Sequence, residues 1–197
     1  STPNAPPSFG VSINGSGAIF DDLQLLAAKC IRLICVSVGI CSSSAMISGG
    51  VPTLRLSSMH HSALNAKSSL ALVILFDQFS RNIFRNDKKA FSQDFKTREI
   101  VYNAIDSGFL DEMSQSEKFF MILPLIHSEE IKDHEIAYSL LDKHLRDHPG
   151  LKDIKKFWED HTVAIKKFKR YPHRNEILGR ESTKEEIDFL KSPNSSW

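Results

Sequence analysis

An all-α fold is predicted by three features of this 197-residue chain. After residue 69, apolar side chains recur at three- and four-residue steps, the period that places them on one face of a helix. Two tetrads, Ser114 with Glu117 and Thr183 with Glu186, have the form of capping boxes. No stretch there alternates apolar and polar residues as a half-buried strand does. Short connections between the predicted helices imply antiparallel neighbours, in a bundle or an array of helical hairpins. The residues show no self-similar period.

Composition divides the chain near residue 68. Residues 1–68 are serine-rich, and their only acids are Asp21 and Asp22. Residues 1–7 (STPNAPP) predict a disordered tail. Asp21 is placed to cap a helix over about residues 22–38, and residues 42–58 read as a loop broken by Gly49, Gly50 and Pro52. The same composition suits an organellar transit peptide. The uncharged stretch 33–47 is shorter than the roughly 20 residues a bilayer span requires. Residues 1–68 are thus expected to be an extension, and residues 69–197 the helical domain.

The hydrophobic fraction of 41% and charged fraction of 25% are those of a globular protein. The net charge of +1 supplies no general field for nucleic acid or membranes, so any basic site must be local. Cys30, Cys35 and Cys41 are odd in number and lack metal-ligand spacing, which points to a reducing compartment, the cytoplasm in the simplest case.

Taken in order, residues 70–79 are nearly all apolar and fit a buried helix or strand equally well. Asp87 is placed to cap a helix whose stripe is Phe91, Phe95, Arg98, Tyr102 and Ile105, with Gly108 as its stop. The Ser114 box starts a helix through Phe119, Phe120 and Ile122 that Pro124 should end or kink. Ser128 is expected to open the next helix, with Ile131, His134, Tyr138, Leu141 and Leu145 inward and Pro149-Gly150 as its stop. Ile154, Trp158, His161, Ile165 and Phe168 form a further stripe. The Thr183 box begins a last short helix through Phe189 and Leu190.

Four segments in this half resemble one family. They are residues 70–85 (LALVILFDQFSRNIFR), 90–94 (AFSQD), 127–129 (HSE) and 168–180 (FKRYPHRNEILGR), the last followed by Ser182, Thr183 and Glu186. In this order and spacing they resemble the bacterial-type domain of unknown function 924. The resemblance implies an all-helical fold similar to tetratricopeptide-repeat proteins and implies no reaction. The family's usual N-terminal helices, with a tryptophan–phenylalanine signature, are not recognisable in residues 1–68. Lys169 stands where the family usually has glycine, and a lysine there is expected to crowd a close backbone approach.

These segments hold the residues that can carry chemistry. Asp77 and Gln78 close an apolar run, and Arg81 and then Arg85 follow at four-residue steps. Such guanidiniums can grip phosphate or carboxylate, or simply form a salt-bridge network at a helix end. Asp94 lies in the second segment. His127 is a candidate ligand or general base, with Glu129 expected in the first turn of the following helix. His161 sits on an apolar stripe and needs a hydrogen-bond partner, for which Glu129, Asp77 or Asp94 are candidates. Were His127, His161 and His173 to meet beside a carboxylate, they could hold zinc, but no short metal-binding spacing supports this. In residues 166–180, basic side chains including Arg170, Arg174 and Arg180 interleave with Phe168 and Tyr171, a pattern that can bind single-stranded RNA or form a solvated helix end. His173, Arg174 and Asn175 fall in a loop after Pro172, where ligand contacts concentrate.

The leading expectation is a helical module binding a small anionic molecule or a peptide carboxylate in an Arg/His groove. The alternative is an enzyme using His127 or His161 as general base on a phosphate- or carboxylate-bearing substrate. RNA binding is the weaker alternative. No cofactor and no oligomeric state can be read.

Overall fold

The computed structural model describes residues 65–193 and 195. The expected helix over residues 22–38, the loop that follows it and the three cysteines lie outside the described residues. Among the described residues the regular structure is all helical. None of these helices is long and apolar enough to cross a membrane.

The apolar run that fitted helix or strand is helical. Asn65 caps α1 (Ala66–Val73) by accepting from the Ser68 amide at 2.9 Å, and the Ser68 side chain completes a capping box. The helical path continues through a π-helical segment, Ile74–Phe79, into the short α2 (Ser80–Ile83). A 3₁₀ turn, Lys88–Phe91, is capped by Asp87. Next come α3 (Asp94–Asp106) and α4 (Gln115–Ile126), separated by Gly108, whose φ of 73° is the left-handed conformation a glycine stop adopts. Then follow α5 (Ile131–His144) and α6 (Leu151–Phe168). The chain closes with the 3₁₀ turn Pro172–Arg174, α7 (Asn175–Leu178) and α8 (Lys184–Leu190).

Helix α4 is the centre of the core. Its residues from Phe119 onwards are all buried, because a helix that is apolar all round has no face for water. It packs against α1, α3, α5 and α6. Both predicted capping boxes form: Ser114 Oγ accepts from the Glu117 amide, and Thr183 Oγ1 accepts from the Glu186 amide at 3.2 Å.

Of the two outcomes expected at Pro124, an end or a kink, the end does not occur, since helix α4 runs through Pro124 to Ile126. Two local expectations are corrected. Ser128 does not open α5. Glu130 is its N-cap residue, and Ser128 accepts from the Glu130 amide at 3.1 Å just ahead of it. The stripe assigned to α3 is only partly its inward face, since Tyr102 and Ile105 pack against the core but Phe95 and Arg98 do not belong to it. Thr97, Ile100, Val101 and Ala104 are buried, whereas Phe95 is 65% exposed. Arg98 and Tyr102 face sideways to Asp133, which Arg98 Nη1 meets at 2.7 Å and to which the Tyr102 hydroxyl donates. A polar network has claimed part of the stripe that spacing marked.

Candidate functional site

The site begins at the π-helical segment. One widened turn in an otherwise α-helical path changes which side chains point inward, and such segments recur at functional sites. Here it carries Asp77 into the interior, only 2% exposed. Its carboxylate faces His127 at the end of α4, with Oδ1 at 2.8 Å and Oδ2 at 3.0 Å from Nδ1. Gln78 Nε2 donates to Asp77 Oδ2 at 2.5 Å. Arg81, one turn on, places Nη2 3.0 Å from Asp77 Oδ1, and the same nitrogen reaches both oxygens of Asp94, at 3.1 and 3.0 Å. Arg81 Nε also faces His127 Nδ1, at 3.4 Å, but the carboxylate is much nearer and has only acceptors, which assigns the proton of a neutral His127 to Nδ1 and leaves Nε2 as its basic nitrogen.

The end of α4 is buried, and its last carbonyls require donors. Three side chains serve these carbonyls and those of the two residues that follow. The Tyr171 hydroxyl donates to the Ile126 carbonyl. Arg174 Nη2 donates to the His127 carbonyl at 2.9 Å. His134 Nε2 lies 2.9 Å from the Ser128 carbonyl, while its Nδ1 meets Thr162 Oγ1 at 2.8 Å.

Arg174 is 6% exposed and lies between two rings, its Cζ 4.6 Å from the Phe91 centroid and 4.5 Å from that of Tyr171. Arg81 approaches the same Phe91 ring at 5.2 Å. The two guanidiniums also share Asp94, whose Oδ2 is 3.7 Å from Arg174 Nη1. Two arginines, two carboxylates and one histidine therefore form a single cluster floored by an aromatic ring.

Burial alone would raise the Asp77 carboxyl, yet His127 and Arg81 hold it well below the usual carboxylate range. Burial pushes Asp94 the other way, upward, against its two arginines. Burial lowers His127, so the neutral imidazole is favoured even beside Asp77. Burial and then the like charge of Arg81 bring Arg174 down to about 10, still protonated at neutral pH. Among the described residues, Arg81 Nη1 and Arg174 Nε are buried without a hydrogen-bond partner, as is Arg180 Nε in a neighbouring cluster.

The other sequence-predicted residues distribute around this core. His161 does not bond Glu129, Asp77 or Asp94 as expected. Its Nδ1 lies 2.8 Å from the Phe157 carbonyl one turn earlier, and its ring lies 6.0 Å from that of His127. Glu129 is not in the first turn of α5. It pairs with both terminal nitrogens of Arg180, at 2.7 and 2.9 Å, and accepts from the Tyr171 amide at 2.8 Å. Arg170 pairs with Glu186 at 2.6 Å, and Asn175 donates to Ser182 and Glu186. The His173 ring packs 5.4 Å from Tyr171, and burial followed by Arg174 lowers its imidazole to about 3. Arg85 lies beyond the end of α2 and is exposed. No group of three histidine, cysteine, aspartate or glutamate side chains among the described residues is arranged to hold a metal ion.

Sequence reasoning gave Phe91 to a core stripe and Tyr171 to a basic loop. Both are walls of the cluster. The signal was adjacency, since Phe91 and Asp94 share one short segment, and Tyr171 and Arg174 share another.

A family model described as "Bacterial protein of unknown function (DUF924)" matches residues 51–194. Among solved structures, a protein of unknown function from Agrobacterium tumefaciens is similar, with 36% identity over 64% of this chain and 69% of that one, at a TM-score of 0.58. No protein of curated function matches the chain significantly.

Proposed function

This chain belongs to the bacterial DUF924 family of proteins of unknown function, and we propose that its Asp77–Arg81–Asp94–His127–Arg174 cluster binds the carboxylate or phosphate of a small molecule or peptide. One observation carries this reading. Arg81 and Arg174, far apart in the sequence, meet at His127 and Asp94, and each keeps a buried N–H without a partner. Purely structural arginines need no common location, and a buried donor left unbonded costs about 1 to 3 kcal/mol. An oxyanion between the two guanidiniums would accept from both.

A second reading is favoured by the Asp77–His127 contact. A carboxylate on Nδ1 orients an imidazole as a general base at Nε2, so the same anion site can serve an enzyme. His161 suits that role less well, because the acceptor at its Nδ1 is a neutral backbone carbonyl, which stabilises an imidazolium less than the Asp77 carboxylate does. RNA binding finds little support, since Arg170 and Arg180 are each engaged by a carboxylate and Arg174 is buried, which interrupts a continuous basic face. A helical-hairpin scaffold of tetratricopeptide-repeat type fits any of these uses.

The test is a thermal-shift screen with acetate, sulfate, inorganic phosphate, phosphorylated metabolites and divalent metals. Oxyanions should stabilise the protein, less so as salt rises, and Arg81→Gln should abolish the shift while circular dichroism stays helical. No stabilisation by any oxyanion would refute the site.

A further inference from the structure

The charge balance of the cluster limits what it can bind. Arg81 and Arg174 carry two positive charges, and Asp77 and Asp94 carry two negative ones. With His127 neutral the cluster has no net charge. An incoming anion must therefore meet guanidiniums already matched by carboxylates, and the two carboxylates are not equivalent. Asp77 is almost fully buried and held by His127, Gln78 and Arg81. Asp94 is 23% exposed at the side chain, sits in the first turn of α3, and touches both guanidiniums through Arg81 Nη2 at 3.0 Å and Arg174 Nη1 at 3.7 Å.

We infer that anion binding at this site is coupled to uptake of one proton by Asp94, which fits the site to a monoanionic carboxylate or phosphate. The inference rests on the anion-site reading above. A ligand oxygen that accepts from the unpartnered Arg81 Nη1 and Arg174 Nε shares that arginine pair with the Asp94 carboxylate. A second anion brought against an ionised carboxylate disfavours its charged form, and a proton on Asp94 relieves the repulsion. Protonation of Asp94 leaves the cluster with one net positive charge, which a single-charge ligand neutralises and a dianion exceeds. The burial that already pushes Asp94 upward acts in the same direction. The charged and titratable groups facing Asp94 are Arg81 from α2, Arg174 from the 3₁₀ turn and Asp77 from the π-helical segment, with His127 of α4 behind Asp77. Of the two cluster carboxylates, Asp94 is the one that combines partial exposure with contact to both arginines. His127, 12% exposed at the side chain and touched by Arg81 Nε at its ring and by Arg174 Nη2 at its carbonyl, is the rival proton acceptor.

The experiment measures acetate binding by thermal shift and calorimetry from about pH 6 to about pH 8, a range in which acetate itself stays ionised. Wild-type affinity should rise about tenfold per unit fall in pH where coupling is complete. Asp94→Asn should bind acetate more tightly than wild type at the upper pH and lose the pH dependence. Wild-type calorimetry in two buffers of different ionisation heat should show about one proton taken up per acetate, a readout that needs no variant. If Asp94→Asn keeps the full pH dependence, His127 takes the proton and the inference falls. If acetate binds wild type with flat pH dependence and no proton uptake, the coupling is absent while the anion site stands. If acetate binds neither protein at any pH, the anion-site reading and the coupling both fall.

Discussion

The Nδ1 of His127 lies 2.8 Å from the Asp77 carboxylate, although fifty residues of chain separate the two. The contact ties the end of the core helix α4 to the π-helical segment and sets which histidine nitrogen is basic. Because both groups are buried, it also makes the fold sensitive to acid.

Stability should decline in two stages as pH falls. His127, His134 and His161 have folded pKa values below the ordinary imidazole value, chiefly through burial. Below about pH 6.5 the unfolded chain therefore takes up protons that the folded chain refuses, and each such histidine removes up to about 1.4 kcal/mol per pH unit. Asp77, depressed in the fold, contributes stability that is present above about pH 4 and lost below it. Urea midpoints measured against pH should show both limbs, and Asp77→Asn should flatten the lower one. A stability constant from pH 7 to pH 5 would contradict the burial of these histidines.

His161→Phe should cost about 1 to 3 kcal/mol, because the ring loses its bond to the Phe157 carbonyl while keeping its packing. Urea melts give this value directly. The same variant should have a shallower loss of stability between about pH 6.5 and pH 5 than wild type. Anion-induced stabilisation should survive the change, since the cluster uses His127. Loss of that shift with an intact fold would place His161 in the binding site.

Lys169→Gly should raise stability by about 1 kcal/mol. Lys169 ends α6 with φ 59°, and its amide bonds the Ile165 carbonyl at 2.9 Å. The side chain is exposed, so the lysine does not crowd a close backbone approach as expected from sequence. What disfavours it is the left-handed backbone, in which a Cβ is strained and glycine is not. A rise in the urea midpoint with an unchanged slope checks this, and no change would mean the turn relaxes around the lysine.

A chain begun at residue 55 should retain strongly helical circular dichroism and cooperative unfolding. The described core runs from Ala66 through Trp158, with Ile165 and Tyr171 in a smaller cluster beside it. Collapse of the helical signal on truncation would show that residues before 55 complete that core.

The sequence by itself determined the helical class, both capping boxes, the glycine stop at Gly108 and the inward stripe of α6, because these follow from contacts within a few residues. It also picked out Asp77, Arg81, Asp94, His127 and Arg174 as polar residues in motif segments. Tertiary structure decided how they combine. The stripe of α3 was only partly inward because Arg98 and Tyr102 found Asp133 on α5. Glu129 left the first turn of α5 for Arg180, and His161 turned to its own helix carbonyl while His127 took Asp77. No periodicity encodes such pairings. A buried polar group takes whichever donor or acceptor the packed chain brings within hydrogen-bond reach, and that choice exists only once the helices have met.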